Sequence, residues 1–326
     1  MRNFTFKGLF LTAVFMLLGC FSIQAADDDL ITKQITIKLD KAGTLPNKIA
    51  SSEMYKITNL KIIGEINGTD WNMIREMAGR DNRGYGTEGK LSVLDLSEAK
   101  IVKGGDSYYP GDNCYTSNDE IGEKAFTDCS RLTSLTLPVG ITSIGYDAFA
   151  YCSGLTSLTL PAGITSIGEY AFSGCSGLTS LTLPAGITSI DKYAFSGCSR
   201  LTSLTLPAGI TSIGEFAFSY CSGLTSIYVY AEKVPRIGRY AFEGCASRKC
   251  TLYVPKGTYD NYRLSEFGYF ENIVEFDATG IDKTTTSTDV EEVSRYSADG
   301  QRLAVPVKGL NIVKYSDGSA RKVVVK

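Results

Sequence analysis

The 326-residue chain contains no histidine, and this absence removes several kinds of catalysis. Without histidine there can be no Ser-His-Asp or Cys-His catalytic group and no histidine-containing zinc site. The net charge is only −2, and the 33 Lys and Arg residues are spread along the chain instead of forming a basic surface for nucleic acid. We therefore expect no metal, no cofactor and no nucleic acid partner.

The chain also has little that could cross a membrane. Its N-terminal apolar stretch, Leu9–Leu18, is ten residues long, whereas a transmembrane helix needs about 20. Positive residues precede this stretch and a small-residue site ending at Ala25 follows it, which predicts a signal peptide over residues 1–25. Leu17–Cys20 also resembles a lipobox, so a lipid on Cys20 is the alternative and would be the only attachment of the protein to a membrane. Both alternatives predict export.

A 23-residue repeat is the strongest feature that is present. Four nearly identical copies begin at Leu132, Leu155, Leu178 and Leu201, a degraded copy begins at Leu224, and a broken earlier copy runs from Leu91 to Cys129. A short fixed period is typical of a solenoid, in which each coil contacts mainly its neighbours. The repeat therefore determines the architecture of most of the chain.

Each copy combines two patterns. The leucines of L-x-x-L-x-L alternate with outward Ser and Thr, as in a short strand. The later segment EYAFSGC is too short for a helix, but a tight turn there would bury Ala171, Phe172 and Cys175. Stacked copies predict a right-handed coil with a parallel sheet on one face. The expected fold class is an α/β-type repeat solenoid that is mostly β, capped at both ends, with a small β tail.

Departures from the period divide the remaining chain. The predicted segments are an N-terminal cap at 27–90, the repeat array at 91–246 with a loop insertion at about 102–120, a C-terminal cap at 247–276, a Thr-rich linker at 277–289 and a tail at 290–326. The insertion is expected to project as a loop. In the N-terminal cap a helix is expected to open at Asp70, an acceptable N-cap. The tail suggests two hairpins with Asp-Gly turns.

The repeats resemble the BspA-like leucine-rich repeats of bacterial surface proteins. That family is marked by L-x-x-L-x-L-P followed by I-G-x-x-A-F-x-x-C, and this chain contains six such Ile-to-Cys segments, one with Asp in place of Gly. The resemblance implies an exported protein that binds host matrix, other bacteria or host receptors, and it supplies no catalytic residues.

The tail is similar to a short type IX secretion sorting signal of Bacteroidetes, because it pairs Y-x-x-x-G with a terminal K-V-V-V-K. The alternative is that the tail is a plain β appendage.

Six of the nine cysteines recur with the repeat. They are Cys129, Cys152, Cys175, Cys198, Cys221 and Cys245. Parallel Cβ vectors in neighbouring coils keep the Cβ atoms farther apart than a disulfide allows, so we expect small buried thiols that pack between coils. The sequence leaves the fates of Cys114 and Cys250 open.

Two positions vary within the repeat while the core does not. The position before Ala-Phe holds Lys124, Asp147, Tyr170, Tyr193, Phe216 and Tyr240, and the position before Cys holds Asp128, Tyr151, Gly174, Gly197, Tyr220 and Gly244. The predicted binding surface is an aromatic stripe on this side, formed by Tyr170, Tyr193, Phe216, Tyr240, Tyr151 and Tyr220. The first column is expected to be at least half exposed. The alternative is that its rings only pack on one another and shield the coil. The Ser and Thr face of the strands is expected to offer little to anchor a partner.

These observations favour a non-enzymatic, exported binding or adhesion protein. It would act as a monomer at the cell surface, at the outer membrane or in the medium, and would present its repeats to host matrix proteins, host glycans or another bacterial surface. A structural spacer of the cell surface is one alternative. A carboxylate-dependent hydrolase of the cap region is another, and it would need two carboxylates about 5–10 Å apart in a cleft.

Overall fold

The computed structural model describes residues 29–109, 111, 113–278, 292–297, 302–303, 309–315 and 320–325. The chain divides into two compact units between Glu275 and Phe276. The predicted signal peptide with Cys20, most of the linker and both predicted turns of the tail lie outside the described residues.

The first unit is a solenoid whose coils pair through strands. Its main sheet has two runs of five strands each: Ile35–Lys38, Asn59–Ile66, Val93–Ile101, Ser134–Thr136 and Ser157–Thr159, then Ser180–Thr182, Ser203–Leu206, Ser226–Val229, Thr251–Pro255 and Asn272–Phe276. The repeat strands pair in parallel with equivalent residues aligned, such as Leu135 with Leu158. Strands from both caps continue the sheet beyond the repeats, because their alternating residues also bury one face. The predicted mostly β solenoid with a parallel sheet is confirmed.

A second row of short parallel strands follows the turn after each main strand. The six strands are Glu120–Ile121, Ser143–Ile144, Ser166–Ile167, Ser189–Ile190, Ser212–Ile213 and Arg236–Ile237. Each points one isoleucine into the core. Between the two rows, one phenylalanine per coil stacks on the next with centroid distances of 5.0 to 5.5 Å. The core is therefore a set of identical columns, as the repeat requires.

The cysteine column is buried and its six thiols are free. Each thiol from Cys152 onward donates to the phenylalanine carbonyl of the preceding coil, beginning with Cys152 Sγ to Phe126 O at 3.0 Å and ending with Cys245 Sγ to Phe218 O at 3.2 Å. Burial raises the pKa of Cys129 to about 11. The predicted packed thiols are confirmed. Cys250 is also a free buried thiol, and Cys114 is buried.

The helix of the N-terminal cap, α1 (Gly68–Met77), begins before the predicted position. Its N-cap is Asn67, which accepts from Thr69 N at 3.1 Å, while the Asp70 carboxylate accepts from Asn67 N at 2.9 Å. The prediction of Asp70 as N-cap is therefore wrong, because Asn67 three residues earlier completes a capping box. Asp70 also accepts from Gly43 N and Leu45 N, so it ties the helix to the preceding loop.

The insertion is a hairpin that packs on α1, and the prediction of a projecting loop is wrong. Strands Gly104–Tyr109 and Cys114–Thr116 pair antiparallel. Tyr108 is almost fully buried and stacks at an angle on Trp71 with centroids 6.2 Å apart. The burial of Tyr108 and Cys114 against the cap holds the insertion to the solenoid end.

The C-terminal cap contains helix α2 (Tyr259–Arg263) and the 3₁₀ helix Glu266–Tyr269, and a further 3₁₀ helix, Leu45–Asn47, lies in the N-terminal cap. Buried Tyr262 donates from its hydroxyl to Ala231 O at 2.6 Å.

The second unit contains the predicted β tail. It is a four-stranded antiparallel sheet in the order Arg302–Leu303, Glu292–Ser297, Gly309–Tyr315 and Ala320–Val325.

Candidate functional site

The tight turns opposite the main sheet are built on left-handed backbone. Both variable columns lie in this conformation: φ is between 53° and 73° at Lys124, Asp147, Tyr170, Tyr193, Phe216 and Tyr240, and at Asp128, Tyr151, Gly174, Gly197, Tyr220 and Gly244. A residue other than glycine pays about 1–2 kcal/mol for this conformation. The turn geometry therefore imposes strain wherever a coil has an aromatic residue in either column.

Hydrogen bonds between coils hold these turns in place. Tyr170 N donates to Lys192 O at 3.0 Å, Phe172 N donates to Ala194 O at 2.7 Å, and Gly174 N donates to Ser196 O at 2.7 Å. The same alternation recurs from coil to coil, and every donor faces the next coil. The turns consequently form a hydrogen-bonded ladder, here called the turn ladder, whose peptide dipoles all point along the solenoid axis.

The first variable column forms a stacked aromatic ridge. We define the ridge as Tyr146, Tyr170, Tyr193, Phe216 and Tyr240. Tyr193 stacks face to face on Tyr170 at 4.7 Å and on Phe216 at 4.8 Å, while Tyr146 contacts the edge of Tyr170 at 5.8 Å. Sequence reasoning missed Tyr146, which joins the stack from one residue outside the column because Asp147 occupies the column itself. Aromatic pairs of this kind contribute about 0.5–1.5 kcal/mol each, which offsets the backbone strain.

Exposure of the ridge is lower than predicted at its centre. Tyr170, Tyr193 and Phe216 are only partly exposed, so the expectation that the whole column is at least half exposed is wrong. Stacking covers the ring faces and leaves the edges to solvent. Tyr240, at the end of the stack, is 58% exposed. The central rings therefore shield the coil and at the same time form a continuous rim.

The second column contains the most exposed of the predicted site residues. Tyr151 and Tyr220 are each 60% exposed and both have left-handed backbone, with φ of 60° and 58°. Each ring lies against the glycine of the next coil: a Cβ added to Gly174 would lie 2.7 Å from Cδ1 of Tyr151, and one added to Gly244 would lie 2.7 Å from Cδ1 of Tyr220. The two tyrosines are three coils apart, or about 14 Å at the spacing of paired strands. Between them lie Gly174, which contacts the Tyr151 ring, and Gly197, which has no side chain within 4 Å of the position a Cβ would take.

The turn side thus has two aromatic elements. Tyr151 and Tyr220 are exposed in one column with glycines between them, and the ridge of stacked rings occupies the neighbouring column. Such a surface can bind a partner through ring faces and edges, while the backbone below is already fully paired in the turn ladder. All six predicted site residues therefore lie on one side of the solenoid.

The sheet side has an aromatic pair that sequence reasoning missed. Tyr228 pairs in register with Thr205 and with Tyr253, so both rings stand in the column that Thr occupies in earlier coils. They stack at 4.4 Å. The signal was present in the sequence as Tyr in place of Thr in S-I-Y-V, but the degraded copy concealed it.

The described residues contain no group of three or more Cys, Asp or Glu placed to hold a metal ion. No helix in this part of the chain has the length and apolar character needed to cross a membrane. A cleft on the N-terminal cap is lined by two carboxylates, Glu76 and Asp106. It is separate from the turn-side surface.

Comparison with known proteins identifies the repeat. Residues 119–249 match the family model for the BspA type leucine rich repeat region in six copies. No curated protein matches the chain.

Several solved structures are similar to the chain. A leucine rich repeat protein of T. pallidum is 29% identical over 46% of this chain and 73% of its own, with a TM-score of 0.39. A leucine rich cell surface protein of Faecalibacterium prausnitzii is 24% identical over 61% of this chain and 51% of its own, with a TM-score of 0.35. A leucine-rich repeat protein of Bacteroides ovatus is 20% identical over 75% of this chain and 70% of its own, with a TM-score of 0.34.

The matched range, residues 119–249, contains all six Ile-to-Cys segments of the repeat. The stacked coils, the buried cysteine column and the family match agree on the same residues. The array at residues 119–249 of this chain is a BspA-type leucine-rich repeat region.

Proposed function

We propose that the protein is an exported, non-enzymatic binding protein that presents its turn side to host matrix proteins, host glycans or another bacterial surface. The N-terminal sequence pattern supports export, and the tail that resembles a type IX sorting signal supports passage to the cell surface or medium. The repeat family supports recognition by a regular surface. A protein that served only as a structural spacer of the cell surface would need no exposed aromatic residues on its turns.

Tyr151 and Tyr220 carry this proposal. Three other coils place glycine at the same position, in Gly174, Gly197 and Gly244, so the fold does not require a side chain there. Each tyrosine nevertheless accepts left-handed backbone and remains 60% exposed. Strain that the fold does not need is characteristic of functional positions. Exposed tyrosines of this kind are also frequent anchors at protein interfaces.

Replacing both tyrosines with glycine should abolish binding without unfolding the protein. The Tyr151→Gly/Tyr220→Gly variant adopts the backbone that other coils already have, so we expect its free energy of unfolding to stay within about 1 kcal/mol of the wild type. Binding to a panel of purified matrix proteins, mammalian glycans and whole bacterial cells should weaken at least about tenfold for the ligand that the wild type captures.

A sheet-side variant provides the matched control. Tyr228→Thr/Tyr253→Thr removes two aromatic rings from the sheet side and replaces them with threonine, the residue that earlier coils have in this column. This variant should bind the ligand as well as the wild type does. If the folded turn-side variant binds as well as the wild type, the turn side is not the binding surface. If the wild type captures nothing on the panel, the spacer alternative gains support.

A further inference from the structure

One junction between coils is built differently from its neighbours. The main sheet divides between the strands Ser157–Thr159 and Ser180–Thr182. The second row of strands divides between Ser166–Ile167 and Ser189–Ile190. Both divisions fall at one place, where the coil at residues 155–177 meets the coil that follows it. This place is here called the central joint.

The central joint lacks two hydrogen bonds that the other repeat junctions have. In the coil before it, Thr165 N donates to a threonine carbonyl of the preceding coil at 2.9 Å, and Gly168 N donates to an isoleucine carbonyl at 2.8 Å. The coil after it forms the same two bonds again. At the central joint, Thr188 N and Asp191 N form neither bond. Leu158, beside the unpaired strand edge, is 8% exposed, whereas the equivalent leucines of other coils are at most 4% exposed.

The turn side of the central joint is intact. Phe172 N donates to Ala194 O at 2.7 Å, and the Phe172 ring stacks on Phe195 with centroids 5.1 Å apart. Tyr170 and Tyr193 of the ridge stack across the same joint at 4.7 Å. The two coils are therefore connected on the turn side and unpaired on the sheet side, which is the arrangement of a hinge.

An aspartate explains part of the missing pairing. The residue after the second-row isoleucine is glycine in the coils before and after, and a Cβ added to Gly168 or Gly214 would lie 2.9 or 2.7 Å from the backbone of the preceding coil. The coil at residues 178–200 has Asp191 at this position. Nonbonded carbon atoms pack best at about 3.5–4.0 Å. A coil with aspartate here therefore cannot approach its predecessor as closely as the other coils do.

An arginine in the same coil acts in the same direction. A Cβ added to Gly177 would lie 2.4 Å from a carbonyl oxygen of the preceding coil, and one added to Gly223 would lie 2.6 Å from the equivalent atom. Between these two glycines in the column stands Arg200. Neither glycine column has left-handed backbone, so these glycines are needed for close approach and not for a turn. Both exceptions thus occur in one coil, and in both columns the Cβ points across the central joint.

We propose that the central joint is a hinge of the solenoid, held open on the sheet side by Asp191 and Arg200. The two coils would rotate about the turn side, where the turn ladder and the stacked rings join them. Tyr151 and Tyr220 lie on opposite sides of the joint, so a rotation would change the angle between the two halves of the turn-side surface. The hinge itself requires no partner on that surface.

Amide hydrogen exchange measured by NMR on the full chain tests this hinge. The protection factors of the Thr188 and Asp191 amides should be at least about tenfold lower than those of Thr165 and Gly168, because unpaired amides exchange by small local openings. The Phe172 amide, on the turn side of the same joint, should remain strongly protected. Equal protection of Thr188 and Thr165, or weak protection of Phe172, would show that the joint is not a hinge.

Two double variants test the cause of the opening. Asp191→Gly/Arg200→Gly restores the glycines of the neighbouring coils, so the joint should close and the protection factors at positions 188 and 191 should rise at least about tenfold. Asp191→Ala/Arg200→Ala is the matched control: it removes the same charges but keeps both Cβ atoms, so protection should stay low. No gain in the glycine variant, or an equal gain in the alanine variant, would overturn the role assigned to these two side chains.

Discussion

Deleting Leu178–Arg200 should give a folded solenoid that is one coil shorter and melts at a lower temperature. The deletion joins Gly177 to Leu201 and removes one member of every column, so Phe172 would stack on Phe218 as it now stacks on Phe195. Stability in such arrays is approximately a sum of coil terms and nearest-neighbour terms. The deletion removes one coil term and one nearest-neighbour term, which lowers the stability of the array. Every remaining coil still has a neighbour on each side.

Deleting only residues 178–189 should abolish folding of the array. Each later residue then moves twelve positions back in the coil. Ser199 would replace Ile187 and Pro207 would replace Phe195, and both lost side chains are fully buried. Circular dichroism during urea unfolding distinguishes the two deletions: a single cooperative transition is expected for the first and none for the second. Loss of the transition in the 23-residue deletion would contradict the nearest-neighbour description.

The second large effect concerns the N-terminal end of the turn ladder. In later coils a carbonyl such as Ala148 O accepts from the preceding coil, here from Phe126 N at 2.7 Å. The equivalent carbonyl of the first coil, Ala125 O, has no preceding repeat. It accepts instead from Trp71 Nε1 at 3.0 Å and from Arg75 Nη1 at 2.9 Å, both in helix α1.

Arg75 therefore caps the ladder where its carbonyl dipoles are exposed. Its side chain is fully buried, a second bond joins Nη1 to Lys124 O at 2.7 Å, and it forms no ion pair with any carboxylate of the described residues. A cation at the carbonyl end of aligned peptide dipoles is stabilising, as at the C-terminus of a helix. The N-terminal cap thus closes the array electrostatically as well as by packing.

Arg75→Met should destabilise the N-terminal end by about 3 kcal/mol, because it removes two hydrogen bonds from a buried cation to the carbonyls of Lys124 and Ala125. Trp71 is the only tryptophan in the chain, so its fluorescence reports on this end alone. In the variant, the fluorescence transition in urea should occur at a clearly lower concentration than in the wild type. Arg75→Lys should recover part of the loss, since it keeps the charge with fewer donors.

Arg248→Met is the control for this substitution. Arg248 is 83% exposed and pairs with Glu271 on the surface, so its replacement should change stability by no more than about 0.5 kcal/mol. Coincident transitions of Arg75→Met and the wild type would show that the guanidinium does not cap the ladder.

The solenoid was predictable because its information is repeated. The same leucines, isoleucines, phenylalanines and cysteines recur at one spacing, so each copy confirms the burial of the others. The cysteine column followed from the same argument. The cap details were not predictable in this way: Asn67 and Asp70 are both good N-cap residues, and only the positions of Gly43 and Leu45 show which role each one takes.

The candidate site was predictable in position but not in geometry. The variable columns indicated the turn side, yet tyrosine gives no sign of left-handed backbone. The available signal was the exchange of glycine and tyrosine at Tyr151, Gly174, Gly197 and Tyr220, since glycine favours positive φ. Stacking also depends on ring orientation, which a sequence does not specify. For this reason the centre of the ridge is less exposed than the column pattern suggested.

Oxidative footprinting of the wild-type protein bound to the partner captured on the panel tests the central claim most directly. The claim is that recognition occurs on the turn side of the array. Binding should protect Tyr151 and Tyr220 from modification and leave the sheet-side pair, Tyr228 and Tyr253, as reactive as in the unbound protein. Protection of Tyr228 and Tyr253 with no change at Tyr151 and Tyr220 would contradict it.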